Sequence, residues 1–269
     1  MLENRVCCFY DVLSTHDIES ARRREDSSSQ CHNRYILSSE LQYNFMEFTV
    51  LGWPPEAPTL RLDYRSFAYA GKFVLSSVGK AVLRTEDSSE IFTSPEAHAH
   101  VDANESDRGQ SMHADANTNH PTESDPYDHS VLAALSFSAD RTDDTTLCYR
   151  YVSVRSDKRG SGLGPHLAAS LTPHAVDRGY DRLRIAVNNP FAYEAMYRAG
   201  FAWTGRETGI AELVLERPAE IPATTTYEQY QSGLTEYRKR DYDDPESTFL
   251  ANRQETDPPA LHTAVNSTQ

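Results

Sequence analysis

The segment from 147 to 154 alternates between two sets of side chains, and the neighbouring residues extend this pattern into a recognisable unit. One set is Leu147, Tyr149, Tyr151 and Ser153, and the other is Cys148, Arg150, Val152 and Val154. A period of two predicts a β-strand with two different faces. The charged residues 155–158 end this strand, and the glycine-rich run 159–164 follows. Because Pro165 suits the first turn of a helix, the pattern predicts a strand, a glycine loop and a helix.

The chain continues after this loop as alternating helices and strands. Leu163, Leu167 and Leu171 recur every four residues and predict the core-facing stripe of a helix. Gly179 is expected to end that helix, and Pro173 is expected to kink it by removing one backbone hydrogen bond. The pattern then predicts, in order, a strand over 183–187, a helix from Pro190 to near Gly200, and a hairpin formed by 201–205 and 211–216.

Upstream of the glycine loop, apolar runs predict three more strands, over 46–53, 80–84 and 131–137. The aromatic stretch 60–74 supplies an apolar face, but its period does not decide between helix and strand. Residues 1–45 have no clear period, and we expect them to form a poorly ordered extension. The alternatives are a small partner-binding segment and an artefact of an upstream start codon.

Residues 86–129 differ in composition from the rest of the chain. They hold eleven acidic residues against one basic residue, Arg108. Such a polar stretch cannot bury enough apolar surface to offset the entropy lost on ordering, so we expect a disordered insertion in a hairpin. The five histidines of this stretch are irregularly spaced, which favours a solvated loop over a metal site.

Beyond Pro218 the sequence predicts a linker, two short helices and a loose tail up to residue 269. Thr226 and Gln229 form a capping box, which marks the start of a helix. The helix carries an apolar stripe made by Tyr227, Tyr230, Leu234 and Tyr237. A second helix is expected after Asp244-Pro245. These helices could dock on the same chain or on a second subunit, which would give a homodimer.

Charge narrows the classes of function. The net charge is −14, with 40 acidic residues and an excess of arginine over lysine of 22 to 4. This balance is typical of proteins from a salt-rich cytoplasm such as that of haloarchaea, although an ordinary acidic protein is the alternative. Acidic surfaces are repelled by phosphate backbones and by anionic lipids, so we expect neither a nucleic-acid partner nor a membrane partner.

The cysteines and the apolar runs argue for a reduced, cytoplasmic setting. Cys7, Cys8, Cys31 and Cys148 form no C-x-x-C pair, which disfavours zinc, and we predict no metal. No apolar run approaches the length of a membrane span, and the N-terminus lacks a long apolar region after basic residues.

The glycine loop matches neither the P-loop nor the full dinucleotide-binding pattern. It resembles the acetyl-CoA loop of the GNAT superfamily of N-acyltransferases, [Q/R]-x-x-G-x-[G/A], with Arg159, Gly162 and Gly164 in the defining places. Val154 precedes the arginine by five residues, as a valine does in that loop. A second family signature, N-x-x-A followed by an aromatic residue and G-F, is matched by Asn189, Ala192, Gly200 and Phe201. The resemblance covers about 46–217, except for the acidic insertion.

This resemblance implies an α/β (α+β) fold: a mixed, mostly antiparallel sheet with a splay between central strands and helices on both faces. It also implies acetyl-CoA as co-substrate. The main-chain N–H groups of the loop would hold its pyrophosphate, and these belong to Arg159, Gly160, Ser161, Gly162, Leu163 and Gly164. Val152, Ser153 and Val154 would lie beside the thioester. Asn189 would contact the cofactor or would only cap the helix that begins at Pro190.

The catalytic residues follow less directly. Many family members place a tyrosine seven residues after the motif asparagine, to protonate the departing thiolate, but that place is Met196 here. Tyr197 and Tyr193 share a helix face and are the candidate general acids, with packing as the alternative. Glu194, Tyr149, Tyr151 and Asp63 are candidate bases, and a water-relayed base would leave no motif. The sequence thus predicts acetyl transfer to a primary amine, with a non-catalytic acyl-CoA-binding regulatory module as the alternative.

Overall fold

The structure is a computed structural model that describes residues 46–85 and 125–262. The predicted extension over 1–45 and nearly all of the predicted acidic insertion lie outside these residues. The strands are β1 (Met46–Gly52), β2 (Gly79–Thr85), β3 (Val131–Ala139), β4 (Thr146–Val154), β5 (Arg182–Val187), β6 (Ala202–Glu207) and β7 (Leu213–Pro218). The α-helices are α1 (Leu163–Val176), α2 (Pro190–Arg198), α3 (Tyr227–Arg238) and α4 (Glu246–Ala251).

The described strands form one seven-stranded sheet in the order β1-β2-β3-β4-β5-β7-β6. Within it β4 and β5 pair in parallel, whereas the other neighbours pair antiparallel. Parallel strands need a crossover connection, and α1 supplies it between β4 and β5. The predicted mixed, mostly antiparallel sheet is therefore confirmed.

One face of the sheet is covered by helices α1, α2 and α3. Leu167 and Leu171 of α1 are fully buried, and Leu163 is nearly so, as their spacing predicts. Each fully buried leucine contributes roughly 1.5–3 kcal/mol relative to an exposed one. α1 ends at Val176, and Gly179 then takes a φ of 81°. This apolar layer fixes the start of α1, and therefore the glycine loop, against the end of β4.

The opposite face of β1–β3 is covered by the irregular segment between β1 and β2. This segment contains a short 3₁₀-helix over 70–72. Its buried side chains pack on the sheet in a second apolar cluster, formed by Leu60, Leu62, Phe67, Ala70 and Phe73 with Val82, Val131 and Ala134. The sheet is thus covered by α-helices on one side and by this mostly irregular segment on the other.

The central strands β4 and β5 separate after a short contact. Their pairing comprises Thr146 with Arg182, Leu147 with Leu183, and Cys148 with Arg184. Beyond these pairs β5 continues to pair with β7, and β4 continues to pair with β3. The gap between the two strands therefore widens towards their carboxyl ends, which is the splay expected from the sequence.

A β-bulge in β4 overturns the predicted alternation of its side chains. On β3, Ser136 is opposite Tyr151 and Phe137 is opposite Tyr149, so Arg150 has no opposing residue. One extra residue exchanges the two faces beyond it and bends the strand. Consequently Val152 packs with Tyr149 in the helix-side core, whereas Tyr151 packs on the opposite face. The single face predicted for Leu147, Tyr149, Tyr151 and Ser153 is therefore wrong after Arg150.

The two C-terminal helices pack on the sheet domain of the same chain. Thr226 caps α3 because its side chain accepts a hydrogen bond from the N–H of Gln229 (3.2 Å). Tyr230, Leu234 and Tyr237 of α3 are fully buried in the helix-side core. In α4, Leu250 is also buried there. Three members of the apolar stripe predicted on α3 are thus used within the chain, whereas the fourth, Tyr227, is exposed at the start of the helix.

Candidate functional site

The glycine loop has the backbone geometry of an anion site. Gly160 and Gly162 have φ values of 75° and 85°, which residues other than glycine rarely adopt. Gly162 is the N-cap of α1, so the N–H groups of Leu163 and Gly164 have no partner within the helix. The positive end of the helix dipole lies at the same place. The loop therefore presents main-chain donors and a partial positive charge together.

Arg159 adds a full charge at this loop. Its side chain is half-buried, and its Nε is buried without a hydrogen-bond partner among residues 46–85 and 125–262. Its neighbours differ in this respect. Arg155 bonds to Asp157 (2.7 Å), and Lys158 lies 3.9 Å from the same carboxylate. A guanidinium that has no carboxylate partner within the described residues is suited to a phosphate.

The carboxyl-terminal half of β4 leads into this loop. Val152, Ser153 and Val154 are all buried, and Ser153 Oγ donates to the carbonyl of Ala68 (2.8 Å). On the side towards β5, these residues make no strand pair within the described part of the chain. Main-chain groups on such an open edge can pair with an extended ligand arm, as an added strand would.

Asn189 lies at the carboxyl end of β5, on the same sheet edge as the glycine loop. Its Oδ1 accepts a hydrogen bond from the N–H of Ala192 (2.8 Å), which caps α2 at Pro190. The sequence left open whether Asn189 caps this helix, and the structure shows that it does. A contact between Asn189 and a cofactor stays a prediction.

The two candidate general acids lie inside a cluster of tyrosines. Tyr193 and Tyr197 are buried, and their hydroxyl oxygens are 3.1 Å apart. Tyr193 also lies 3.2 Å from the carbonyl of Tyr230, and Tyr197 accepts from the N–H of Trp203 (3.1 Å). Burial raises the pKa of both hydroxyl groups, which keeps them protonated. Met196, between them in sequence, is fully buried as well.

The candidate bases are occupied by structural contacts. Glu194 is bonded to Arg198 and Arg253; burial alone would raise its pKa, but hydrogen bonds from these arginines lower it overall. Tyr149 donates to the carbonyl of Ala168 (3.0 Å), and burial raises its pKa.

The other two candidate bases lie on the face opposite the helices. A hydrogen bond from Arg65 lowers the pKa of Asp63, and the ring of Tyr151 packs 5.5 Å from that of Tyr69. None of the four candidate bases lines the cleft described next.

A cleft of about 600 Å³ opens where β4 and β5 separate, on the sheet face opposite α1. Its apolar part is formed by Leu75, Val78, Ala139, Ala186 and Val214. Its polar part is formed by Ser77, Ser138, Asp140, Arg141, Thr142, Cys148, Arg150, Arg184, Arg206 and Thr208.

Asp140 is the carboxylate of the cleft. Burial opposes ionisation, but hydrogen bonds from Thr142 and Cys148 and the charge of Arg184 lower the pKa of Asp140 to about 2. Burial raises the pKa of the Cys148 thiol to about 11. Since an efficient general base has a pKa near the working pH, Asp140 is a poor base and a good charge partner.

The sequence reasoning missed the arginines of this cleft. Arg150 and Arg184 alternate with apolar residues in their strands, which places each on one face of the sheet. That signal was in the sequence, but the pairing of β4 with β5 was needed to bring the two side chains to one cleft.

Comparisons with known proteins give only distant likenesses. No family model and no curated protein matches the chain. Among solved structures, it is similar to nourseothricin acetyltransferase at 15% identity, covering 65% of this chain and 98% of that one, with a TM-score of 0.36. An N-acetyltransferase from Staphylococcus aureus gives 15% identity, coverages of 53% and 68%, and a TM-score of 0.33.

Two further likenesses cover less than two thirds of the known chain. A Salmonella typhimurium protein solved with its cofactor acetyl-CoA gives 19% identity over 35% of this chain and 62% of that one, with a TM-score of 0.31. A GNAT-family protein from Desulfovibrio desulfuricans is covered to 64% of its length. Identities and TM-scores this low do not assign the chain to a family.

The described residues include neither a candidate metal site nor a candidate membrane span. No group of three histidine, cysteine or acidic side chains in 46–85 and 125–262 is arranged to hold a metal ion. In the same residues, no helix combines the length and the apolar character needed to cross a membrane.

Proposed function

We propose that this chain is an N-acetyltransferase that moves an acetyl group from acetyl-CoA directly to a primary amine. One observation carries the proposal: a loop with anion-site geometry follows the carboxyl end of β4, where β4 is no longer paired with β5. In the reaction, the amine nitrogen attacks the thioester carbonyl, a C–N bond forms and the C–S bond breaks. The amine loses a proton and the thiolate gains one.

The cofactor's pyrophosphate would be held by main-chain N–H groups between 159 and 164 and by the Arg159 guanidinium. The Nε of Arg159, which has no hydrogen-bond partner in the part of the chain that the structure describes, supports this assignment. The extended arm of the cofactor would lie along the open edge of Val152, Ser153 and Val154. A main-chain N–H on that edge would polarise the thioester carbonyl. Asn189 would close the same end of the gap from the β5 side.

Protonation of the thiolate is assigned to Tyr197, with Tyr193 as the second candidate. Tyr197 accepts a hydrogen bond from Trp203 and its pKa is raised by burial, so its proton is retained at neutral pH. The four candidate bases are held in other contacts, which favours a water-relayed base. A cytoplasmic location fits the use of acetyl-CoA.

The rival proposal is a regulatory module that binds acyl-CoA without turnover. Met196 at the usual place of the acid and the engaged hydroxyl groups of both tyrosines favour it. Incubation of the purified protein with acetyl-CoA and a broad panel of amines, at low and at molar salt, decides between the two. Thiol release that depends on the amine supports the transferase. Tight binding without turnover supports the module.

A further inference from the structure

The cleft between β4 and β5 is positively charged in a chain whose net charge is −14. Four of its lining residues are arginines, and Asp140 is its carboxylate. Arg184 bonds to Asp140 (2.8 Å) and to Glu216 (2.6 Å), which lies just behind the lining. Arg206 bonds to the same Glu216 (2.5 Å). The two carboxylates therefore pair with two of the four guanidinium groups, which leaves a surplus of positive charge.

The surplus belongs to Arg150 and Arg141. Arg150 Nε donates to Ser138 Oγ (2.9 Å), and one terminal nitrogen lies 3.3 Å from the carbonyl of Ala139. These contacts hold the guanidinium at the bulge of β4. Neither Arg150 nor Arg141 forms an ion pair within the described part of the chain. An arginine fixed by neutral partners keeps its charge available for a ligand.

We propose that this cleft binds the acceptor amine through an anionic oxygen group, a carboxylate or a phosphate, on the acceptor itself. Arg150 would bind that group, with Arg141 at the rim, and Leu75 and Ala186 would contact the apolar linker to the amine. Guanidinium groups bind both kinds of anion through paired N–H donors. This inference rests on the proposed function, because it takes the acetyl donor to lie in the gap between β4 and β5.

Position supports this role. The cleft includes Cys148 and Arg184, the last residues that pair β4 with β5, and Arg150 and Ala186, which lie just beyond. It therefore opens onto the start of the gap from the face opposite α1. An amine anchored at Arg150 would approach a thioester in the gap from the side away from the glycine loop, so donor and acceptor would not compete for space.

A purely structural role for these arginines explains less. Arg184 and Arg206 tie β5, β6 and β7 together through Glu216, and that role is complete without a ligand. Arg141 has no such function, because it is exposed and forms no hydrogen bond or ion pair within the described residues. Binding of an anion would explain why both Arg141 and Arg150 lie at this cleft without an acidic partner among the described residues.

The test uses matched acceptors that differ only in the anionic group: β-alanine against propylamine, longer ω-amino acids against the corresponding alkylamines, and phosphoethanolamine against ethanolamine. Amine-dependent thiol release gives kcat and KM for each at constant ionic strength. We expect the anionic member of at least one pair to have a KM lower by about tenfold to a hundredfold, the effect of one charge-assisted bond. The carboxylate and phosphate pairs show which anion is preferred.

Arg150→Gln and Arg141→Gln should reduce or remove that preference while acetyl-CoA affinity, measured by calorimetry, stays unchanged. Arg61→Gln is the matched control, because Arg61 is exposed and lies outside the cleft. Acetylation of neutral and anionic amines with equal KM would overturn the acceptor proposal and leave the proposed function standing. If acetyl-CoA does not bind at all, the proposed function fails. In that case, calorimetric titration of the protein with the same amine pairs tests the acceptor proposal directly. Equal affinity for the two members of each pair, or no binding of either, would contradict it.

Discussion

At the scale of single residues, Arg84, Arg159 and Arg238 each have a buried Nε without a hydrogen-bond partner within the described residues, and Arg159 is the one of the three at the glycine loop. A buried N–H group without a partner costs about 1–3 kcal/mol, and the Nε of Arg159 is such a group within the described residues. A phosphate oxygen at the loop would supply the partner. Gly162 has a different role there, because its φ of 85° sets the turn that aims the main-chain donors.

Gly162→Val should abolish acetyl-CoA binding while the domain stays folded. A β-branched side chain is strained at a φ of 85°, and it would fill the space that the pyrophosphate needs. Calorimetric titration measures the loss, and circular dichroism checks the fold. Arg159→Ala should be milder and lower affinity by about tenfold to a hundredfold, because the main-chain donors remain. Unchanged affinity in Gly162→Val would mean that the loop is not the cofactor site.

Tyr197→Phe should lower kcat by about a hundredfold or more, which is the usual contribution of a general acid. Tyr193→Phe tests the second candidate. Tyr230→Phe is the control, because it removes a hydroxyl from the same cluster, where Tyr230 contacts Glu194 (3.2 Å), without removing a candidate acid. If neither candidate variant slows turnover more than the control does, both tyrosines are packing residues, and the thiolate takes its proton from elsewhere.

At the scale of elements, α3 is an integral part of the core. Leu234 is fully buried between α3 and the rest of the helix-side core, so Leu234→Ala should cost about 2–5 kcal/mol of unfolding free energy. The control, Ser232→Ala, changes an exposed residue of the same helix and should have little effect. Urea unfolding measures both. A cost for Leu234→Ala no larger than that of the control would show that α3 is only loosely attached.

Most elements could be predicted from the sequence because their signals are local. The period of β4, the glycines of its loop, the leucine stripe of α1 and the cap of α3 each lie within a few residues. The bulge at Arg150 could not be predicted, because it depends on the register between β4 and β3. For the same reason the reversal of side-chain faces beyond it was missed.

The candidate site divides in the same way. Loop residues such as Gly162 are contiguous, and the sequence alone marked them. The cleft brings together Asp140, Arg184 and Arg206, which come from the loop after β3, from β5 and from β6 and are distant in sequence. No short sequence pattern predicts that these three residues lie together. Tyr193 and Tyr197 were predicted to share a helix face, and their hydroxyl groups are 3.1 Å apart. Their surroundings could not be predicted, because the carbonyl of Tyr230 beside Tyr193 belongs to α3, which is distant in sequence.

At the scale of the whole molecule, acid stability depends on carboxylates such as Asp140. Its pKa is about 2 in the folded protein against an ordinary value of 3.8. A lowered pKa contributes stability that is present above about pH 4 and is lost as the pH falls towards 2. At neutral pH, Asp140→Asn should therefore lower the free energy of unfolding by about 2 kcal/mol.

The difference in unfolding free energy between the wild-type protein and Asp140→Asn should become smaller as the pH falls from about 4 to about 2. Urea unfolding at constant salt measures this difference. Asp144→Asn is the control, because Asp144 is exposed. A difference that does not change with pH would show that the loss of stability comes from packing and not from the charge of Asp140.

The central claim is that the loop at the end of β4 holds acetyl-CoA, and calorimetric titration of the purified protein tests it most directly. We expect one acetyl-CoA bound per chain with a dissociation constant in the range of about 1 μM to 1 mM, where most enzymes bind their substrates. Binding should weaken as salt rises, because screening reduces the attraction between Arg159 and phosphate. Absence of any binding at millimolar acetyl-CoA, at low and at molar salt, would contradict the account.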